Sequence, residues 1–152
     1  MKMNPADIKS HKGLVRFVTG HMPLLAKDPK LIQAIQECAG NIDAAKIRHA
    51  LQWNTLPQIE IKALTSDGRQ TPAGGYTAHS NRLTLNAYHV GLHEDGEQDV
   101  RSTPKRGQVH LVEVDLLHEL THWAKEQVGG VESGGPEEGF EFERKFYGCV
   151  VE

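Results

Sequence analysis

Apolar positions in the first third of the chain recur at the spacing of amphipathic helices. Between Asp28 and Gly40 they share one face, which consists of Leu31, Ile32, Ile35 and Cys38. Asp28 suits the N-cap of this helix, Pro29 its first position and Gly40 its end. Helices are also predicted before and after it, the later one capped by Asn41. We therefore predict a helical scaffold over residues 5–52.

The period of the pattern changes to two after residue 57. Ile59, Ile61 and Ala63 alternate with polar residues, which predicts a strand that runs into a turn at residues 66–68. Residues 73–90 predict a hairpin with its turn at His79, Ser80 and Asn81. Its second strand alternates Leu83, Leu85 and Ala87. A small, mainly antiparallel sheet over residues 57–88 is the expected result.

The polar stretch over residues 89–107 contains Gly, Pro and mixed charge, which predicts a surface loop. His89, His93 and His110 match no common metal-ligand spacing, so we interpret them as solvated. Beyond this loop lies a long apolar segment that Gly129 and Gly130 would end as a helix. Helices followed by strands and further helices indicate an α+β fold in one domain over residues 1–152, with helices over 109–152.

Composition narrows the class of protein. Of the 152 residues, 38% are hydrophobic and 24% charged, as in soluble globular proteins, and the net charge of −3 gives no nucleic-acid footprint. Cys38 and Cys149 do not make a disulfide framework. No apolar run approaches membrane length, and the start has no signal-peptide pattern. We expect a cytosolic protein, one exported without such a signal, or a domain of a longer chain.

Candidate metal ligands and a candidate general base lie together in HELTHW, residues 118–123. In an HExxH helix, His118 and His122 lie one turn apart on one face and can bind one metal ion. Glu119 can then take a proton from water in the metal's open position, which is the zincin arrangement. A surface helix with two solvated histidines is the alternative. Apolar residues nearly all round the helix argue for burial, where histidines need partners.

The third ligand of a catalytic zinc must be sought after His122. There the chain has no further His and no Asp, so a downstream ligand must be Glu or Cys149. Lys125 and Val128 stand where metzincins have Gly and a third His, which excludes that class. A glutamate ligand, as in gluzincins, is the remaining pattern, with one Zn²⁺ per chain.

Helical spacing discriminates among the glutamates of PEEGFEFERKFYGCVV, a predicted helix with Pro136 at its first position. Phe142, Phe146 and Cys149 form one apolar stripe, and Glu138 lies four residues before it begins. A carboxylate in line with that stripe points inward and needs a cation. We predict Glu138 as the third ligand, with Glu141 and Glu143 as alternatives.

HELTHW, the Gly-rich connector and EEGFEFERKFYG together resemble the metallopeptidase toxin domains of bacterial polymorphic toxins, including type VI secretion spike-protein effectors. The resemblance covers roughly residues 72–152 and extends to GGYTAHSNRLTLNA. The EExxxF pattern at Glu137, Glu138 and Phe142 also resembles the third-ligand helix of clostridial neurotoxin proteases. The resemblance implies an effector delivered into a target cell, a protein or peptide substrate, and an immunity protein.

Zinc-dependent peptide-bond hydrolysis is the function that these residues favour, with His118, His122 and Glu138 as ligands and Glu119 as general base. In zincins an edge strand beside the helix holds an extended peptide, and NRLTLNAYH is our candidate. Tyr147 and His110 are candidates for steadying the oxyanion. Two alternatives remain: an amidase or endopeptidase acting on peptidoglycan, and a zinc-binding interaction module without activity.

Overall fold

The computed structural model describes residues 1–64, 74–77, 80–96, 98–130 and 137–152. In chain order its elements are β1 (Lys2–Met3), α1 (Pro5–Ser10), α2 (Lys12–Gly20), α3 (Met22–Leu25), α4 (Pro29–Ala39), α5 (Ala44–Ala50), β2 (Gln58–Lys62), β3 (Gly74–Thr77), β4 (Arg82–Asn86), α6 (Ala87–Glu94), β5 (Val100–Thr103), β6 (Gly107–His110), α7 (Leu111–Gln127) and α8 (Glu138–Phe146). The structure is thus α+β, as predicted.

The capping residues of α4 act as its sequence predicted. The Asp28 side chain accepts a hydrogen bond from the backbone N–H of Lys30, and Gly40 ends the helix at a positive φ of 92°. The prediction that Asn41 caps the next helix was wrong. Asn41 continues the left-handed turn with φ 65°, and α5 is capped by Asp43 instead, whose side chain accepts from Ala45 N–H.

The larger sheet has the strand order β1-β2-β4-β3. Strands β1 with β2 and β2 with β4 pair in parallel, while β3 and β4 form an antiparallel hairpin. The expectation of a mainly antiparallel sheet was therefore wrong for two of these three pairings. Alternation of apolar and polar residues reports which side chains face the core, but it carries no information on strand direction or neighbour.

The segment NRLTLNAYH was predicted to form an edge strand that holds a peptide. Strand β4 contains most of this segment, and the prediction that it lies at the edge was wrong. It lies between β2 and β3, so its backbone groups pair on both sides, and among the described residues the sheet ends at β1 and β3. Ser80 and Asn81 form the hairpin turn as predicted. His79 and the predicted turn at residues 66–68 lie outside the described residues.

Residues 89–107 contain regular structure where the sequence predicted a loop. They include most of α6 and all of β5, which pairs antiparallel with β6 from Gly107 onward. Helix α6 is capped by Asn86, whose side chain accepts from Tyr88 N–H. Its buried residues are only Val90 and His93, too few to produce a visible apolar stripe.

Helix α7 is the centre of the packing. It contacts α4, α6, α8, β3, β4 and β6. Leu116, Leu117 and Leu120 have no solvent exposure, and burial of such side chains stabilises a fold by roughly 1.5–3 kcal/mol each. Among the described residues, no helix combines the length and apolarity that crossing a membrane requires.

Candidate metal centre

Helix α7 presents His118 and His122 on one face, as the HExxH spacing requires. Their ring centroids are 5.2 Å apart, and 15% of each side chain is exposed. Most other residues of the helix are buried, whereas the two imidazoles keep this partial exposure. This exposure leaves both rings in contact with solvent.

The carboxylate that meets both imidazoles belongs to Glu137. Its Oε1 lies 3.3 Å from His118 Nε2 and also contacts His122 Nε2. One ligand atom from each of these three residues lies within 4.8 Å of the other two. The Nε2 atoms of both histidines and a Glu137 oxygen therefore converge on one point.

Glu137 reaches this point because it is the N-cap of α8. Its carboxylate accepts hydrogen bonds from the N–H groups of Gly139 at 3.1 Å and Phe140 at 2.7 Å. These bonds satisfy backbone donors at the helix start and hold the side chain in place. The first turn of α8 lies so close to α7 that a methyl group at Gly139 would overlap with the His118 ring.

Glu138, the ligand predicted from the sequence, lies elsewhere in the structure. Its side chain is buried, and Oε1 pairs with the ammonium group of Lys125. Its Oε2 is 3.7 Å from Nδ1 of His122, on the far side of the ring from Nε2. The apolar stripe did indicate an inward carboxylate that needs a cation, but Lys125 provides that cation. Spacing within the helix could not show that the capping residue before it turns toward the histidines.

The two alternative glutamates also take distinct positions. Glu143 is buried, and its Oε1 lies 2.6 Å from His118 Nδ1, while its Oε2 accepts from Val151 N–H. A carboxylate on Nδ1 orients the ring and leaves the Nε2 lone pair for a metal. Glu141 lies on the outer side of α8, where it is partly exposed.

Glu119 is buried, with 4% of its surface exposed. Its Oε2 is the one buried side-chain polar atom without a hydrogen-bond partner among the described residues. Burial raises the pKa of this carboxyl group to about 7, against the lowering effect of His118 and His122. Such a group is poised to accept and release a proton near neutral pH.

Negative charge dominates the electrostatics of the centre. Burial lowers the pKa of His118, but hydrogen bonds to Glu137 and Glu143 outweigh it and raise this pKa to about 10. Burial likewise raises the pKa of Glu137, but its bonds to the two histidines hold it well below its usual range. The carboxylates thus favour a positive charge between the imidazoles. Two imidazole nitrogens and one carboxylate oxygen are a donor set that fits zinc.

The two candidates for steadying the oxyanion, Tyr147 and His110, have partners away from this point. Tyr147 is fully buried, and its hydroxyl donates to Glu113 Oε1 at 3.0 Å. His110 contacts Asp99. Trp123 packs in the core and donates its indole N–H to Asn81 Oδ1 at 2.9 Å. Phe140, which the sequence did not single out, is 42% exposed with its ring against His118.

A second group of ligand-type side chains joins His93, Asp99 and His110. Both histidines were predicted to be solvated, and this prediction was wrong for His93, which is buried. Seventeen positions separate the two histidines, so no local spacing signalled their contact. They meet because α6 and β6 both end beside the start of α7.

Comparison with protein families gave a match between residues 7–148 and the family described as Metallopeptidase toxin 3. The matched range includes both histidines, Glu119 and the glutamates of α8. It also takes in the N-terminal helices, which the sequence resemblance did not reach. Neither curated proteins nor solved structures gave a match.

Proposed function

Because the chain belongs to the metallopeptidase toxin 3 family, we propose that it is a zinc-dependent peptidase that hydrolyses peptide bonds. The proposal rests above all on Glu119, a buried carboxylate with an unpartnered oxygen on the same helix as two converging imidazoles. A structural metal site has no need of such a base. The family name, toxin, suggests a protein substrate in a target cell.

His118 and His122 would hold the zinc ion through Nε2, and Glu137 through a carboxylate oxygen. When bound, zinc acts as a Lewis acid that acidifies a water molecule and polarises the scissile carbonyl. Glu143 would orient the His118 ring through Nδ1, and Glu138 would do the same for the His122 ring. This assignment replaces Glu138 by Glu137 as the third ligand.

Glu119 would accept the proton of the attacking water at its free oxygen and pass it to the leaving amine. A pKa of about 7 suits both steps, because the group is then neither a strong acid nor a strong base at neutral pH. Burial also limits competing hydrogen bonds from bulk water. Phe140, exposed beside His118, provides an apolar contact for a substrate side chain.

The decisive experiment compares zinc-loaded wild-type protein with a zinc-loaded Glu119→Gln variant on whole cell lysates. Terminal labelling and mass spectrometry would identify new peptide N-termini. We expect new termini with the wild type and none above background with the variant, while both retain zinc. Equal cleavage by the two proteins would overturn the assigned role of Glu119.

The same pair of proteins tests the two alternative functions. Soluble fragments released from purified peptidoglycan by the wild type alone, without protein cleavage, would establish the peptidoglycan amidase or endopeptidase. No product from either substrate, with zinc bound, would establish an interaction module. Delivery into a target cell by a route without a signal peptide, and neutralisation by an immunity protein, also belong to this proposal.

A further inference from the structure

Three ligand-type side chains meet at the N-terminal end of α7, away from the centre described above. His93 comes from α6, Asp99 from the segment before β5, and His110 from the N-cap of α7. Asp99 has no exposed surface and His93 has 7%. A carboxylate buried to this degree requires a cation or several hydrogen-bond donors.

The atoms of this group stand at separations that fit a shared ion. Asp99 Oδ1 lies 3.1 Å from His110 Nδ1 and 3.2 Å from His93 Nδ1. Ligand atoms around a tetrahedral zinc, with bonds of about 2.0–2.2 Å, are separated by roughly 3.3–3.6 Å. Outward shifts of a few tenths of an ångström would therefore admit the ion.

The second oxygen of Asp99, Oδ2, also lies 3.2 Å from His93 Nδ1, and it contacts the start of α7. Oδ2 accepts from Val112 N–H at 3.3 Å, and the Asp99 backbone carbonyl accepts from Leu111 N–H at 2.9 Å. The residue thus caps α7 while its carboxylate faces both histidines. A ligating carboxylate is commonly oriented by such a bond on its other oxygen.

The ring of Phe17 covers the His93–Asp99–His110 group on one side, and a surface groove lies next to it. The ring of Phe17 packs edge-on against both imidazoles, with centroid distances of 5.3 Å to His93 and 5.4 Å to His110. Beside it a surface groove is lined by Gly13, Arg16, Phe17, His93, Glu94 and Gly96. An ion can enter through this groove, and a water molecule can complete its coordination.

We propose that His93, Asp99 and His110 form a second zinc site, with a structural role. Its three ligands would join α6, the approach to β5 and the start of α7. His118 follows His110 by eight residues, which corresponds to about 12 Å along a helix. This exceeds the roughly 3.5–4 Å between the ions of a two-metal catalytic centre. The second ion would instead fix the position of the helix that carries the HExxH motif.

The test measures zinc per chain by mass spectrometry of the full-length protein, equilibrated with a zinc buffer and then desalted. We expect two ions in the wild type, matching the two ligand groups. The variant His118→Ala/His122→Ala should retain one, and so should His93→Ala/His110→Ala. His49→Ala, which changes an exposed histidine, serves as the control and should retain two.

The first double variant leaves the proposed site intact, so the test does not depend on whether the second variant folds. One ion in the wild type and none in folded His118→Ala/His122→Ala would overturn the second site. The group would then be a hydrogen-bonded His–Asp–His network. An ion that persists in His118→Ala/His122→Ala and is lost from His93→Ala/His110→Ala would support the second site. This holds even if the first centre bound no metal.

Discussion

Nδ1 of His118 lies 2.6 Å from Oε1 of Glu143, a residue that α8 brings to the back of the metal-site helix. A hydrogen bond from Nδ1–H to this carboxylate orients the ring, so that Nε2 would face the ion in the proposed zinc-bound state. We predict that Glu143→Gln lowers zinc affinity by about 10- to 100-fold, as expected for loss of a carboxylate behind a ligating histidine. Competition with a chromophoric chelator measures this affinity.

Glu141→Gln is the matched control for this change, because it removes the same charge from the outer side of the same helix. Its zinc affinity should stay close to that of the wild type. An equal loss in both variants would mean that net negative charge near α8, rather than the bond to His118, sets the affinity.

Gly139 is predicted to be intolerant of any side chain. A methyl group there would meet the His118 ring, so Gly139→Ala should displace the imidazole and lower zinc affinity by at least about tenfold. The control is Gly91→Ala in α6, where a methyl group meets no atom within 4 Å. That variant should keep its zinc affinity and gain up to about 1 kcal/mol of helix stability. Normal zinc binding by Gly139→Ala would contradict the close packing of α8 on His118.

The burial of Glu119 predicts a pH-dependent stability of the metal-free protein. Because its pKa rises from 4.5 to about 7 on folding, the folded state loses stability as pH increases through this window. Glu119→Gln cannot ionise, so its free energy of unfolding relative to the wild type should increase by up to about 3 kcal/mol between pH 5 and pH 8. Urea unfolding in the presence of EDTA at these two pH values measures the difference. A difference that does not change with pH would show that this carboxylate is not destabilised by burial.

Asn81 connects the sheet to the metal-site helix through its bond to Trp123. It also adopts a positive φ of 51°, which costs most side chains roughly 1–2 kcal/mol. Asn81→Ala should lose both advantages and destabilise the protein by about 2 kcal/mol. Asn81→Gly keeps the backbone conformation and should lose only the hydrogen bond, about 1 kcal/mol. Equal unfolding free energies for the two variants would contradict the backbone contribution.

The sequence was most informative where local rules decide the structure. The caps of α4 and the pairing of His118 with His122 depend on residues at most twelve positions apart, and fixed helical geometry relates them. The direction of the strands in the sheet and the contact between His93 and His110 depend on the path of the whole chain. No spacing rule encodes such a path.

The identity of the glutamate that faces both histidines was also beyond what local spacing could predict. Glu137 and Glu138 are adjacent, and the apolar stripe indicated the buried one, Glu138. The choice between them depends on where α8 begins, because a capping residue points its side chain along the helix start rather than across it. A shift of one residue in that boundary exchanges the glutamate that meets the two histidines for the one that pairs with Lys125.

The central claim is tested most directly by zinc-edge anomalous diffraction from crystals of the zinc-loaded Glu119→Gln variant, which should bind zinc without turnover. The proposal predicts an anomalous peak about 2.0–2.1 Å from Nε2 of His118 and of His122, and about 2.0–2.2 Å from a carboxylate oxygen of Glu137. A peak coordinated by Glu138 would contradict the ligand assignment. The absence of a peak at the two histidines would contradict the metallopeptidase mechanism itself.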